Sequence, residues 1–134
     1  MIRFFIPGEP PTATAQQKGY NRRTGRYYKP AELRDAESKY QAYAAEVRPQ
    51  EPITGPVRLV VVFGFTPTTG HNDGEYKITK PDTDNMLKAL KDSLTRCRFW
   101  GDDCQVAEEI TLKVWSRIPG VTVTVEALGK EMAV

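Results

Sequence analysis

A single histidine and two cysteines in 134 residues leave the chain short of the side chains from which zinc sites are built. Cys97 and Cys104 have six residues between them, a spacing that matches no common metal-ligand pattern, and two cysteines do not make a disulfide framework. They read as reduced thiols, as expected in the cytoplasm. Long apolar runs are also lacking. The longest, residues 59–63 (LVVVF), falls far below the roughly 18 residues of a membrane-spanning helix, so no membrane partner is expected. The opening MIRFFIPGEPP has one Arg and an apolar stretch cut at Pro7, too short for a secretory signal. Nor does either sign of charge dominate: the net charge of +2 does not mark a nucleic-acid partner by itself. With 40% hydrophobic and 27% charged residues the composition is that of a globular chain, which excludes disordered and fibrous classes. Its length suits one domain (1–134), able to bury about 68% of its extended-chain surface without staples.

Ile2, Phe4 and Ile6 alternate with Arg3 and Phe5, a short strand ended by Pro7-Gly8. A polar stretch without periodicity follows, and Asn21-Arg-Arg-Thr-Gly25 predicts a hairpin tip within it. Pro30 opens a helix to about Val47, with Leu33, Ala36, Tyr40, Tyr43, Ala44 and Val47 on one stripe. Residues 57–65 (VRLVVVFGF) form the most apolar strand and belong in the centre of a sheet. Residues 66–81 make a sixteen-residue polar connection, longer than a compact domain tolerates without a purpose. A helix then runs from near Asp84 to about Arg96 on Leu87, Leu90 and Leu94. Two alternating strands close the chain, around Ile110, Leu112 and Val114 and around Val121, Val123 and Val125, and Pro119-Gly120 predicts a hairpin between them. Trp115 falls on the face opposite Ile110 and Leu112, where a second subunit would cover it. Residues 129–134 read as a frayed tail. The order strand, helix, strand, helix, strand, strand predicts an α+β domain: a mixed β-sheet with two main helices and no internal repeat.

The chemistry concentrates in KPDTDNMLKALKDSL and the later RFWGDDCQV. Asp82 and Asp84 stand two apart in a segment that Pro81 keeps extended, so both carboxylates point the same way. Lys88 lies four residues beyond Asp84 and leans over the same point or pairs with Asp84 on the helix surface. Asp102 and Asp103 arrive after the helix has returned the chain. Like carboxylates 4 Å apart repel by about 4 kcal/mol at an effective dielectric of about 20, and a divalent cation offsets this. Oxygen-only ligands select a hard ion, Mg²⁺ or Mn²⁺. An EF-hand does not fit: counted from Asp82, its required Gly falls on Leu87 and its closing Glu on Ser93. Helix capping is the alternative for Asp82 and Asp84, and sugar-nucleotide transferases and phosphatases also use Asp-x-Asp. Trp100 anchors the acidic turn by packing.

These segments together, Asp82-Thr-Asp84-Asn85 with Lys88, then Asp102-Asp103-Cys-Gln105-Val106, resemble the RusA family of Holliday-junction resolvases over residues 80–113. The resemblance implies a small Mg²⁺-dependent endodeoxyribonuclease, with Mn²⁺ as substitute and no organic cofactor, acting as a homodimer on four-way or branched DNA in a bacterial cell or phage-infected host. Asp82, Asp84 and Asp103 would be the catalytic metal-binding carboxylates, with Asp102 the alternative third ligand. Lys88 would sit at the scissile phosphate, and Lys113 matches a basic residue on the following strand. The chain departs from the family in having only Lys80 near the first Asp and in reading Pro-Pro-Thr-Ala-Thr early on, which bears on DNA contacts more than on the metal site.

Residues 18–29 support a DNA substrate independently. Lys18, Arg22, Arg23, Arg26 and Lys29 are interleaved with Tyr20, Tyr27 and Tyr28 and no acid, a pattern for neutralising phosphates and stacking on unpaired bases, or simply a solvated hairpin. Lys77, Lys80, Lys88 and Lys91 flank the carboxylates. Residues 66–81 read as a mobile DNA-contacting loop or simply as a surface insertion, with His71 solvent-exposed or touching phosphate. Two symmetric cuts need two sites, and a subunit with a radius of gyration of about 14 Å does not span a crossover. A fork or flap nuclease and a non-catalytic junction-binding module are the competing readings.

Overall fold

Val57–Phe65 has alternate side chains wholly out of water and a hydrogen-bonded neighbour on each side, so it organises the rest of the chain. The computed structural model describes residues 1–12, 19–28 and 31–132. Its elements are β1 (Ile2–Pro7), β2 (Gly19–Asn21), β3 (Arg26–Tyr28), α1 (Ala31–Val47), β4 (Val57–Phe65), α2 (Thr83–Arg96), a 3₁₀ turn (Asp103–Gln105), β5 (Val106–Trp115) and β6 (Gly120–Ala127). The main sheet has the order β1-β6-β4-β5, and β2 and β3 form a separate two-stranded sheet. This is the expected α+β domain with a mixed four-stranded sheet and two helices.

In β4, Val57, Leu59, Val61, Phe63 and Phe65 face the helices and are buried with Ile6, Val121, Val123 and Val125. Leu33, Tyr40 and Ala44 of α1 and Met86, Leu87, Leu90 and Leu94 of α2 cover them. Each such apolar side chain contributes about 1.5–3 kcal/mol relative to exposure. Arg96 Nη1 donates to the buried Glu37 carboxylate at 2.5 Å and ties the end of α2 to α1. Burial pushes the Tyr40 hydroxyl far above its ordinary value.

The expected hairpin between the last two strands does not form. β5 pairs parallel with β4, whereas β6 pairs antiparallel with β4 on its other side and with β1. The most apolar strand gains most from neighbours on both edges, so β4 inserts between them and the Pro119-Gly120 turn crosses its end. Gly120 is required there for a packing reason: a Cβ would lie 2.2 Å from the Phe5 ring and 2.6 Å from the Ile6 carbonyl oxygen.

Residues 66–81 are docked on the chain. Gly74 N and Lys77 N donate to Trp115 O and Lys113 O, and Trp115 N donates to Glu75 O, so this segment covers the outer edge of β5 near its end. Trp115 is consequently buried by its own chain rather than held out for a second subunit: His71 stacks on its indole at 4.7 Å. Among the described residues, no helix is long and apolar enough to cross a membrane. Of the tail, residues 129–132 carry no regular structure, and 133–134 lie outside the described residues.

Replacing Gly120 by Ala is expected to lower stability by about 1–3 kcal/mol, because the Ile6 carbonyl cannot move without breaking the β1–β6 register. Thermal and urea unfolding of Gly120→Ala will read the loss; unchanged stability would mean that β1 does not lie where described.

Candidate active site

Asp82 occupies the N-cap position of α2 in an extended conformation (φ −72°, ψ 146°), yet its side chain makes no capping hydrogen bond. Capping therefore does not account for this carboxylate. Its backbone oxygen receives the Met86 amide at 3.3 Å, which starts the helix. Asp84 lies exposed in the first turn, where the partial positive charge of the helix N-terminus favours an anion.

Asp102 and Asp103 have different surroundings. Asp102 caps the 3₁₀ turn: its Oδ1 accepts the Cys104 amide at 3.0 Å, and Gln105 Oε1 accepts the Gly101 and Asp102 amides at 2.8 and 3.1 Å. Gln105 Nε2 donates onward to Ile53 O and Gly55 O, which fastens the turn to the segment before β4. The Cys104 amide holds the Asp102 carboxyl below the usual carboxylate range, and that carboxylate pushes the Cys104 thiol up. Burial likewise raises the Cys97 thiol, so neither cysteine favours the thiolate. Trp100 packs under the turn, fully buried, with Nε1 donating to Thr95 Oγ1 at 2.7 Å. Asp103 is left half-buried at the groove between α2 and β5.

That groove holds a recess of about 220 Å³ lined by Asp84, Leu87, Lys88, Lys91, Asp103 and Glu109. It adjoins a second recess that Asp103 shares with Asp92 and Asp102. Three residues that the sequence singles out, Asp84, Lys88 and Asp103, thus meet at one place, and Asp82 is not among the lining residues. Lys88 is largely exposed and pairs loosely with Asp92 at 3.7 Å rather than with Asp84. Glu109, paired with Lys91 at 2.9 Å, is a carboxylate the sequence reading missed. Its signal was parity: Glu109, Thr111, Lys113 and Trp115 share one side of β5, and Trp115 is buried there.

Among the described residues, no three carboxylates stand close enough to cage an ion. Mg²⁺ does not require a cage, since it takes one or two carboxylates and completes its shell with water and substrate phosphate. The oxygen-only donors of this recess fit such an ion, and Lys88 and Lys91 supply positive charge for a phosphate.

The remaining cations divide. Lys80 is exposed beside Pro81. Arg22, Arg23 and Arg26 are exposed on the predicted hairpin, whose tip is formed by Asn21: its Oδ1 accepts the Arg23 amide and its carbonyl the Gly25 amide. Tyr20 and Tyr27 lie 5.1 Å apart beside them. Lys18 and Lys29 lie outside the described residues. Lys77 is 8% exposed, with its ammonium turned toward Thr79 and Lys80. Lys113 Nζ is likewise directed at Thr79 O and Pro81 O. Burial first, and the Lys113 charge second, push the Lys77 ammonium below its ordinary value.

A family model described as endodeoxyribonuclease RusA matches residues 7–126. A Bacillus subtilis (strain 168) protein named Uncharacterized protein YqaN is 35% identical over 92% of this chain and 94% of its own length. The crossover junction endodeoxyribonuclease rusA of Lactococcus phage r1t is 33% identical over 38% of this chain and 39% of its own.

The Asp102 cap has a pH signature. A depressed folded-state value means that its contribution is present above the unfolded carboxylate value, about 3.9, and is lost as pH falls through the folded one. The melting-temperature gap between wild type and Asp102→Ala is therefore expected to be constant at neutral pH and to close in acid. A gap that widens in acid would contradict the cap.

Proposed function

The chain belongs to the RusA endodeoxyribonuclease family, and on that premise we propose that it resolves four-way DNA junctions by metal-assisted phosphodiester hydrolysis. The observation that carries the reading is the meeting of Asp84, Asp103 and Lys88 in one recess beside a non-capping Asp82. Asp84 and Asp103 at the recess would hold Mg²⁺, or Mn²⁺ in its place, and Asp82, two residues before Asp84, would complete the carboxylate set. Such an ion would supply a more acidic water as nucleophile and polarisation of the phosphoryl oxygen. Lys88, exposed and only loosely paired with Asp92, would bring its ammonium to the negative charge that gathers on the phosphate in the transition state. Asp102 has one carboxylate oxygen engaged by the Cys104 amide, which favours Asp103 over it as a ligand. Glu109 keeps Lys91 at the rim.

On the substrate side, Arg22, Arg23 and Arg26 and the Tyr20–Tyr27 pair offer phosphate contacts and aromatic faces, and Lys80 stands next to the carboxylates. A second copy supplies the second cut. The sheet face away from the helices supports this, because Ile110 is 51% exposed there and Val60, Val62, Leu112 and Val114 are only half-buried. The reaction is placed in the cytoplasm of a bacterial or phage-infected cell.

Cleavage of a labelled mobile four-way junction in Mg²⁺, beside a fork and a linear duplex, tests the proposal. Paired symmetric nicks on the junction alone are expected. Asp82→Asn, Asp84→Asn and Asp103→Asn should each lose more than the roughly 100-fold typical of outer-sphere partners, while Asp102→Asn, which keeps an acceptor for Cys104, should lose far less. Equal cutting of forks would point to a less selective nuclease, and binding without cutting in either ion to a junction-binding module. Sedimentation of wild type and Ile110→Glu should show a dimer and a monomer.

A further inference from the structure

Asp82 leaves α2 uncapped, so something other than its side chain must set how the chain enters the helix. The three residues before it are gripped by two lysines. Lys77 Nζ donates to Thr79 Oγ1 at 2.5 Å, to Lys80 O at 2.6 Å and to Thr79 O at 3.4 Å. These partners match the three protons of an ammonium group. Lys113 Nζ donates to Thr79 O at 2.5 Å and to Pro81 O at 2.7 Å. Every carbonyl from Thr79 to Pro81 therefore accepts from an ammonium group.

The two lysines are themselves held. Lys77 Nζ lies 5.1 Å from the Phe65 ring centre and 4.9 Å from that of Trp115, within cation–π range. Its backbone amide donates to Lys113 O at 2.9 Å. Lys113 and Trp115 belong to β5, and Phe65 to the central strand, so the grip transmits the position of the rigid sheet to the acidic segment. Charged donors on backbone carbonyls are stronger than neutral ones, which suits a segment where two carboxylates are placed close together.

We infer that Lys77 and Lys113 are positioning residues that strap residues 79–81 to the sheet and thereby set where Asp82 and Asp84 present their carboxylates, rather than contacts to DNA phosphates. The inference rests on the proposed role of those two aspartates.

The test compares wild type with Lys77→Met, Lys113→Met and the double variant in three measurements: single-turnover cleavage at saturating junction in Mg²⁺, salt-dependent junction binding in EDTA, and backbone amide shifts by NMR. A strap predicts cleavage slower by about 10- to 100-fold, the cost of misplacing reacting groups by about an ångström. It predicts an unchanged salt slope, and amide shifts that move at Thr79, Lys80 and Asp82–Asp84 but not in the β2–β3 hairpin. The double variant should lose less than the product of the single losses, since both lysines act on one segment. A salt slope shallower by about one unit per lysine, with affinity falling as the rate falls, would make them phosphate contacts and overturn the inference. Unmoved amides at 79–84 would also overturn it. If Lys77→Met does not fold, Lys113→Met decides, because it leaves all three Lys77 bonds in place. A wild-type protein that cuts nothing sinks the proposed function alone, and the amide shifts still decide the strap.

Discussion

Parallel pairing of β4 with β5 is the constraint on which the molecule depends. Two parallel neighbours cannot be joined by a tight turn, so the chain must leave the far end of β4, travel back along the sheet and re-enter beside its start. That return path is residues 66–81 followed by α2, and it carries one wall of the recess. Asp84, Lys88 and Lys91 ride on the returning helix, while Asp103 and Glu109 stand where the chain re-enters the sheet. β5 is the edge strand of the sheet, and the groove between it and α2 lies at that edge.

The same arrangement explains why the site is polar where the core might have been. On β4 and β6 the helix-facing side chains are Val, Leu and Phe and are sealed. On β5 that side carries Glu109, Thr111 and Lys113, and only Trp115 is sealed, beneath His71 and Lys77. The acidic recess and the lysine strap are thus two parts of one edge, separated by a few residues along a single strand. Lys77 occupies an environment that disfavours its charge, and it is retained there by a full set of acceptors and two aromatic rings.

Three of the four aspartates at the centre of the sequence argument differ in what their backbone lets them do. Asp82 is at a capping position and does not cap, Asp102 caps a turn that looks too short to need one, and Asp103 is left at the recess. The Asp-x-x-Gln signature of Asp102 and Gln105 is a capping box legible in sequence.

Local patterns determined the elements. The stripes of α1 and α2, the alternation of β1, β5 and β6, the hairpin tip at Asn21 and the central place of β4 were all legible from side-chain periodicity and turn residues. The acidic motif was legible as well, because its spacing is carried within one helix and one turn. What only the tertiary structure decided is adjacency: that β6 lies beside β4 and β1 rather than β5, that Trp115 is covered by its own loop, that Glu109 joins the recess, and that Lys77 and Lys113 turn inward. Periodicity states which side chains share a face but not what lies against that face. A lysine facing solvent and a lysine facing three carbonyl oxygens read identically until the chain is folded.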